Sequence, residues 1–559
     1  MKYPSVPLLL VFILFMSNAA AVAQTPDQYR LGSHELQTLD SFFVELGLAP
    51  PFYSRPYSHH QYRYYLKQIE THKGGLAASS RAELSELLKK QRQQPADKPF
   101  FRPFLDLGIG LKYQSKEIPE FQEYLYYRNS LNYAPLLKLG FIAGYTNGAI
   151  HLEYDLREDF FVTWRQKDYS TLPTGDPFVQ DFDYNFPTRS YIKLGNLHVD
   201  FLAGREQMKW GPGHRSSLLI SDSPPYYDML QLSYFSPRFK ASFFFAALES
   251  YLTDEEFQIQ KDYQDAGVVT FPKAADSQRK SLTGHRLEFR VRENLLIGIS
   301  DILLIGGRIP ELTDIGPLMY LHNVYGENYS NVMMGLDFSY VPLPDIKIYG
   351  ELGIDDIQNP WEAGSSIPTS LGYQAGAEVL NLPVPRNPDF YFEWVRIDPW
   401  MYNRWQPYLM FTSRRKLTSF PDYTQYASYL DFPTGYFLGG DVQSFYFELA
   451  WPQGYRGSVS VSYELRQKGE IYLNPLDPES KYENYKTTSA STPTGTVLTT
   501  HILKTIGRMA ITPNISLAAE LSVGYERNQE HIEGDHGFYF VGVVSLEVLH
   551  AIPSFNHQD

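Results

Sequence analysis

The amino-acid sequence predicts a transmembrane β-barrel of about eighteen antiparallel strands behind a small α-helical bundle. Three observations predict this fold class: an amino-terminal export signal, a period-two alternation of apolar and polar residues along most of the 559-residue chain, and a content of 43 Tyr and 36 Phe. Successive side chains of a strand point to opposite faces, so each segment has one apolar and one polar face. In an exported chain of this length, we expect the apolar face to contact lipid and the polar face to line a lumen.

Residues 1–23 have the pattern of a secretory signal peptide. Lys2 supplies a positive start, Leu8 to Met16 is a short apolar run, and Ala21 and Ala23 form a small-residue cleavage site. A retained membrane anchor is the alternative, but the run is shorter than the ~20 residues that a spanning helix needs. No later stretch reaches that length without charges. A membrane-embedded mature chain would therefore have to be a closed barrel, in which strands satisfy each other's backbone groups.

Residues 24–97 predict a periplasmic bundle of about three helices. The first helix is indicated by apolar residues at helical spacing, namely Leu36, Leu39, Phe42, Phe43 and Leu46. Ser58 can cap a second helix, and Ser80 with Glu83 has the spacing of a capping box at the start of a third. The adjacent His59 and His60 do not face each other on one helix, so we expect them at the surface.

The remaining residues, 100–559, are predicted to form the barrel. They number 460 (559 − 99), and a strand with its share of turns and loops uses roughly 25 residues, which gives about eighteen strands. Polar stretches that contain Pro or Gly predict the longer, extracellular loops at 171–176, 253–281, 474–495 and 527–537. No repeat of 20–50 residues indicates a propeller or solenoid, while a large soluble β-protein remains an alternative on pattern alone.

Composition narrows the classes of function. The net charge of −14 argues against nucleic acid as a partner and against simple adsorption to anionic lipid. The absence of cysteine excludes disulfides and a lipid-modified cysteine anchor. The 14 histidines show no paired metal-ligand spacing, and no serine lies in a G-x-S-x-G elbow. We therefore predict no metal and no cofactor, and the sequence motifs alone identify no catalytic residues.

Three segments resemble the Wzi capsule-assembly family. Residues 204–221 read GREQMKWGPGHRSSLLIS, in which a strand ending in G-R-x-x-x-x-W-G-P-G leads into S-L-L-x-S. Residues 348–356 read IYGELGIDD, and residues 434–444 read TGYFLGGDVQS. The three segments lie in the order expected for the family and span about half of the predicted barrel.

The resemblance implies an outer-membrane barrel of about eighteen strands in a Gram-negative bacterium, with a periplasmic helical bundle ahead of it. It also implies a lectin-like role in attaching capsular or other extracellular polysaccharide to the cell surface, and no enzyme activity. The expected partners are accordingly polysaccharide and outer-membrane lipid.

Two groups of residues are candidates for glycan binding. In the first segment, Trp210 is either an interface anchor or a flat platform for a sugar face, and His214 and Arg215 can donate to hydroxyls or carboxylates. The alternative is a turn packed inside the barrel, with Arg205 and Glu206 as a lumenal ion pair. In the aromatic stretch 391–405, rings can stack on sugars and arginines can bind acidic sugars, or the stretch can form a membrane girdle. The candidates are Arg205, Trp210, His214, Arg215, Trp400 and Arg404.

Three alternative roles remain open at this level. An eighteen-strand barrel is wide enough to be a sugar-selective porin. A barrel lipase would need Ser216 or Ser217 to meet a histidine and a third group in space. Asp355 and Asp356, with Glu351 upstream, can hold a hard cation through oxygen ligands, although a solvated turn or a lumenal salt-bridge role is favoured because the alternating ligands of a calcium loop are missing.

Overall fold

The computed structural model describes residues 31–92, 99–115, 137–145, 147–156, 158–159, 169–170, 181–182, 188–265, 279–320, 330–357, 369–404, 406–419, 427–452, 457–473, 491–512 and 515–551. The predicted export signal 1–23, the predicted loop 171–176 and most of the predicted loop 474–495 lie outside these residues.

Twenty-five strands are described, most of them in one barrel. In chain order they are β1 (Ser54–Arg55), β2 (Phe100–Gln114), β3 (Leu137–Tyr145), β4 (Gly148–Leu156), β5 (Glu158–Asp159), β6 (Tyr169–Ser170), β7 (Asp181–Phe182), β8 (Arg189–Gly195), β9 (Val199–Glu206), β10 (Lys209–Trp210), β11 (Tyr227–Phe235), β12 (Phe239–Leu248), β13 (Lys280–Arg292), β14 (Leu295–Gly306), β15 (Ser330–Leu343), β16 (Ile346–Asp356), β17 (Ser370–Val379), β18 (Asp389–Ile397), β19 (Thr412–Ser419), β20 (Ala427–Pro433), β21 (Val442–Pro452), β22 (Gly457–Lys468), β23 (Leu498–Thr512), β24 (Ile515–Arg527) and β25 (His536–Ala551).

Eighteen of these strands close into an antiparallel barrel, which confirms the predicted fold class. The barrel contains β2–β4, β8, β9, β11–β18 and β21–β25. The seam forms where β2 pairs with β25, at a register that places Phe104 opposite Ala551. Short turns such as 236–238 and 293–294 lie at one end of the barrel, and long connections such as 207–226 and 398–441 lie at the other. Smaller pairings, β1 with β10 and β5–β7 with β19 and β20, are not part of the barrel wall.

The two faces of the wall differ as the alternation predicts. On β13, the even-numbered residues point inward, and the side chains of Arg286 and Glu288 are buried in the lumen, where Arg286 pairs with Asp337 at 2.6 Å. Outward-facing positions on the neighbouring strands carry exposed apolar side chains such as Ile299 and Leu336. An apolar outer face around a polar interior is the arrangement of a barrel surrounded by lipid.

Four helices are described: α1 (His34–Glu45), α2 (His59–His72), α3 (Ala78–Arg92) and α4 (Asp254–Asp265). None of these helices is long and apolar enough to cross a bilayer. The first three precede β2 and pack as a bundle whose core contains Leu39, Tyr62 and Leu66. The fourth lies within the stretch 253–281, which the sequence analysis treated as a loop.

Two details of the bundle differ from the sequence prediction. The Ser58 side chain does cap α2, accepting the Gln61 N–H at 3.3 Å, but α3 begins at Ala78, so Ser80 lies inside its first turn. The carboxylate of Glu45 accepts the Ala77 N–H and occupies the end of α3 instead. His59 and His60 are buried rather than at the surface, and burial lowers the pKa of His60 to about 3, which favours its neutral form.

The bundle closes the short-turn end of the barrel. Its core includes Phe235 and Leu296 from the wall, the Ala49 N–H donates to the Glu293 carbonyl at 2.9 Å, and the Asp345 N–H donates to the Val44 carbonyl at 3.0 Å. Glu293 and Asp345 belong to two different turns at this end. The bundle is therefore fixed to the rim by main-chain hydrogen bonds as well as by apolar packing.

Segments from both ends fill the lumen and meet inside it. Residues 49–58 enter from the bundle, and the loop 207–226 enters from the opposite end; β1 pairs with β10, with Ser54 opposite Trp210. The Lys240 ammonium on the wall donates to the Ser54 carbonyl at 2.6 Å. The described residues thus form a continuous set of contacts through the barrel from one end to the other.

A substitution in the bundle core tests whether the bundle contributes to the stability of the whole chain. Leu66→Ala removes a fully buried side chain and is expected to lower the free energy of unfolding of the bundle by about 2–5 kcal/mol. Limited proteolysis of the detergent-purified protein should then release bundle fragments before the barrel is cleaved. Lys67→Ala, at an exposed position of the same helix, is the control, and equal protease resistance of the two variants would contradict the prediction.

Candidate functional site

Trp210 lies inside the barrel and not at a membrane interface. It is 1% exposed, and its ring packs edge-on against Phe244 with ring centroids 5.0 Å apart. The backbone N–H of Trp210 donates to the Ile220 carbonyl at 2.9 Å. The interpretation of this segment as a turn packed within the barrel agrees with the structure. The ring of Trp210 offers no accessible face in this arrangement, so it stabilises the lumenal loop.

The two glycines of the same turn are required by their surroundings. Gly211 has φ +128°, and a Cβ there would lie 2.4 Å from the Oε1 atom of Glu351. A Cβ on Gly213 would lie 1.9 Å from the Ser216 carbonyl oxygen. The chain can approach the Glu351 carboxylate this closely only without side chains at these positions.

Glu351 holds the lumenal loop by its backbone. One carboxylate oxygen accepts the Gly213 N–H at 2.8 Å, and the other accepts the Leu218 N–H at 2.9 Å. Two backbone N–H groups of the loop thus share one buried carboxyl group from the wall. Glu351 belongs to segment 348–356 and both of these loop residues to segment 204–221, so two of the three segments that resemble the family bind each other.

His214 contributes to the same lumenal network. Its backbone N–H donates to the Oε2 atom of Glu393 at 2.7 Å. Its ring stacks on Tyr391 with centroids 4.3 Å apart, and its Nε2 atom lies 3.3 Å from the Glu448 carboxylate. These partners come from β18 and β21. His214 therefore links the loop to the wall at positions more than 170 residues away in sequence.

The charge of Arg215 is paired with a carboxylate, and two aromatic rings enclose its guanidinium. Its guanidinium forms an ion pair with Glu464 at 2.8 Å and lies 4.2 Å above the ring of Tyr446 and 5.2 Å from that of Phe437. Phe437 belongs to the third family-like segment. The Ser221 N–H also donates to the Thr434 carbonyl at 2.8 Å. All three segments that carry the family resemblance thus converge in the lumen.

Arg404 and Trp400 lie in the loop between β18 and β19, which also folds inward. Arg404 pairs with Asp356 at 2.6 Å and approaches Asp355 at 4.0 Å, so these aspartates are salt-bridge partners, as the favoured alternative predicts. Among the described residues, no group of three or more His, Asp or Glu side chains can hold a metal. Trp400 is buried beside Ile471.

The aromatic stretch 391–405 is therefore only in part a girdle. Trp394 occupies an outward-facing position on β18 and is partly exposed, whereas Trp400 and Tyr402 are buried. The Tyr402 hydroxyl donates to the Leu218 carbonyl at 2.6 Å. The girdle interpretation is wrong for these two residues because the chain leaves the wall after Ile397 and turns into the lumen.

The predicted ion pair between Arg205 and Glu206 does not form. Adjacent residues of a strand point to opposite faces, so Arg205 lies on the outside and binds Asp228 through two contacts of 2.7 and 2.8 Å. Glu206 points inward and pairs with Arg189 at 2.6 Å. The Arg205 guanidinium also lies 3.8 Å from the ring centroid of Tyr226.

The six predicted site residues therefore do not form one site. Trp210, His214 and Arg215 share the lumenal loop, Trp400 and Arg404 lie in a second inward-folded loop, and Arg205 is on the outer face at the long-loop end. The lumenal members are committed to protein partners. Their common effect is to fix the loops that close this end of the barrel.

A cleft at the long-loop end was not predicted from the sequence. It is open to solvent and is lined by residues that include Glu249, Tyr251, Lys280, Tyr408, Arg414 and Asp431. Tyr251 is 43% exposed. Residues from the end of β12, the start of β13 and the β19–β20 hairpin meet here, and no local sequence signal reports that proximity.

Charged groups around the cleft are fixed by one another. Arg414 binds Glu256 through contacts of 2.6 and 2.7 Å and Asp431 through contacts of 2.7 and 2.6 Å. Lys280 donates to the Met410 carbonyl at 2.7 Å. An exposed aromatic ring beside fixed polar groups can bind a sugar by combining ring contact with hydrogen bonds.

An eighteen-strand barrel with an apolar outer face and a lumen filled by its own segments is a plugged transmembrane β-barrel. The family model for capsule assembly protein Wzi matches residues 141–530. The chain belongs to this family, which confirms the resemblance of the three segments.

A solved structure of a Wzi protein shares this fold. Wzi of Escherichia coli, described as an outer membrane protein involved in Group 1 capsule assembly and as a carbohydrate-binding β-barrel, aligns with a TM-score of 0.55 and 13% identity, covering 95% of this chain and all of that one. OprD of Pseudomonas aeruginosa aligns with a TM-score of 0.37 and 10% identity, covering 81% of this chain and 96% of its own. A search of curated proteins found no match to this chain.

Substituting a glycine of the lumenal turn tests how tightly the plug is fixed. Gly211→Ala places a methyl group against Glu351 at a positive φ, which costs about 1–3 kcal/mol for the backbone alone. We expect proteases to cleave within residues 207–226 of the purified variant but not of the unsubstituted protein. Gly507→Ala is the control, since a Cβ there meets nothing within 4 Å; equal resistance of both variants would show that the turn is not constrained.

Proposed function

We propose that this chain is an outer-membrane β-barrel of a Gram-negative bacterium that binds extracellular or capsular polysaccharide and helps to attach or assemble it at the cell surface. The observation that carries the proposal is membership of the capsule assembly family over residues 141–530. The carbohydrate binding described for Wzi of Escherichia coli supports it. The proposed activity is binding without catalysis, and it requires no cofactor.

The orientation follows from the lengths of the connections. Outer-membrane barrels have short periplasmic turns and longer extracellular loops. We therefore place the short-turn end, with the bundle predicted for residues 24–97, in the periplasm. The long-loop end, with the cleft around Tyr251, then faces the cell exterior, where a polysaccharide is available.

The cleft is the proposed contact surface. Tyr251 supplies an exposed ring, and the side chains of Glu249, Lys280 and Asp431 supply polar atoms around it. Arg205 lies at the same end of the barrel and is a further proposed contact. A repeating polymer can contact many copies of the protein in one membrane, so weak single sites can hold it firmly through avidity.

The porin alternative is disfavoured by the contents of the lumen. The β1–β10 pairing and the loop 207–226 occupy the interior of the barrel in the described part of the chain. We expect the purified protein to show no steady current in a planar lipid bilayer. A steady current that added sugars block would support a porin and contradict the binding proposal.

The lipase alternative is also disfavoured. Ser216 and Ser217 are fully buried, and neither hydroxyl is hydrogen-bonded within the described residues. An activated nucleophile needs a base within hydrogen-bond reach and access for the substrate. Turnover of lipid or ester substrates that is lost in Ser216→Ala or Ser217→Ala would overturn the proposal.

Deletion of the gene tests the cellular role. Loss of a surface-attachment protein should shift polysaccharide from the cell-bound to the shed fraction, while total synthesis is unchanged. The cell-bound and shed fractions are both measured, and the unsubstituted gene supplied in trans is the control. Unchanged retention of polysaccharide on the deletion strain would contradict the proposal.

A single substitution tests whether the cleft binds polysaccharide. Tyr251→Ala removes the exposed ring, which we expect to weaken each contact by about 0.5–1.5 kcal/mol and to lower retention of polysaccharide several-fold through the loss of avidity. Tyr145→Ala is the matched control, because Tyr145 is also exposed but lies at the short-turn end. Equal retention by the two variants would move the binding surface away from the cleft.

A further inference from the structure

The connection between β14 and β15 lies against the outside of the barrel. Residues 307–320 of this connection are described and are called here the outer loop. The Nε2 atom of His285 lies 2.9 Å from the Gly316 carbonyl oxygen, and the ring centroids of His285 and Tyr320 are 4.8 Å apart. His285 is on the outward face of β13, because its neighbour Arg286 points into the lumen. The outer loop therefore covers the exterior of the wall.

The wall beneath the outer loop is buried, unlike the rest of the same face. Ile299, Leu303 and Ile305 all point outward from β14, but Ile299 is 50% exposed while Leu303 and Ile305 are buried. Asp301, between them on the same face, lies 3.2 Å from the Nδ1 atom of His285 and is also buried. The loop thus shields a polar pair that would otherwise project from the wall.

The outer loop presents apolar side chains on its own exposed side. Leu312 is 84% exposed, Leu318 is 82% exposed and Ile309 is 65% exposed. Arg308 lies 3.1 Å from Asp314 and 3.6 Å from Glu311, and Asp314 accepts the Glu311 N–H at 2.8 Å. Asp314 is buried, whereas the Glu311 side chain is 70% exposed and can remain in water. This arrangement is unlike that of an ordinary solvated loop.

We propose that the outer loop lies at the outer-leaflet interface with the side chains of Ile309, Leu312 and Leu318 inserted among the acyl chains, and that it replaces the barrel wall as the lipid-contacting surface at the long-loop ends of β13 and β14. The inference rests on the proposed location in the outer membrane. Contact with lipid removes the exposed Leu side chains from water, which is favourable, and a polar pair such as His285 and Asp301 is costly against lipid unless it is covered.

Continuity with the lipid-facing wall identifies lipid as the occupant. Ile299 on β14 lies opposite Leu336 on β15, and both are exposed on the outward face. The outer loop begins where β14 ends, at Gly306, and covers the upper part of that same face. Its exposed Leu and Ile side chains therefore extend the apolar surface that starts at Ile299.

The test uses the absence of cysteine from the chain. Leu312→Cys and Leu318→Cys are each labelled with a bimane fluorophore, and the full-length protein is reconstituted into phosphatidylcholine vesicles with or without brominated acyl chains. Bromine quenches the fluorophore on contact, so we expect both labels to be quenched to the same extent as a label on Ile299→Cys. A label on Glu533→Cys, at an exposed position of the β24–β25 connection, should not be quenched.

The two reference variants separate the possible failures. If the Ile299→Cys label is not quenched, the barrel is not in the bilayer and the proposed location fails. If that label is quenched while those on Leu312→Cys and Leu318→Cys behave like the Glu533→Cys label, the outer loop faces water or protein and this inference is overturned. Dimers of Leu312→Cys captured by a bis-maleimide, together with an unquenched label, would identify a second copy as the occupant.

Discussion

The carboxylate of Glu351 is the contact on which the closed state of this barrel depends. It projects from the wall and accepts backbone N–H groups from both arms of the lumenal loop, at Gly213 and at Leu218. The loop can reach it only because Gly211 and Gly213 carry no side chain. The loop held there pairs with the segment from the bundle and packs against the second inward-folded loop, so one carboxyl group organises three separate parts of the chain.

Charges inside the barrel are balanced locally. Arg286 pairs with Asp337, Arg215 with Glu464 and Arg404 with Asp356, each within 2.8 Å. Removing one partner from such a pair would leave an uncompensated buried charge, which is far more costly than the pair is stabilising. The interior therefore has little tolerance for single changes of charge, and its ion pairs specify which loop lies against which strand.

The alternation of residues was enough to predict the fold class because period two is a local property of each strand. Ser58 was equally accessible to prediction, since a cap acts within one turn of helix. The start of α3 could not be predicted in this way, because the Ala77 N–H that precedes the helix is bound by Glu45 from another helix. The error over Arg205 had a different origin: adjacent strand residues cannot pair, and the alternation itself should have excluded that contact.

The site was less predictable than the fold because its contacts join distant segments. The resemblance of three short segments to one family identified the segments that meet in the lumen, but nothing local showed that Glu351 binds the loop at Gly213. The cleft around Tyr251 and the outer loop at 307–320 also depend on where long connections lie after folding. For an eighteen-strand barrel, the strands of the wall follow from the sequence pattern, but the positions of the segments that fill the lumen do not.

The two-residue ladder between β1 and β10 gives the two ends of the molecule a shared backbone connection. A polymer held at the cell surface experiences drag when fluid moves past it. Tension on the surface loops would be distributed around the ring of strands and, through this ladder, to the helices on the far side of the membrane. The interior of the barrel would in this way act as a mechanical brace for a tether under load.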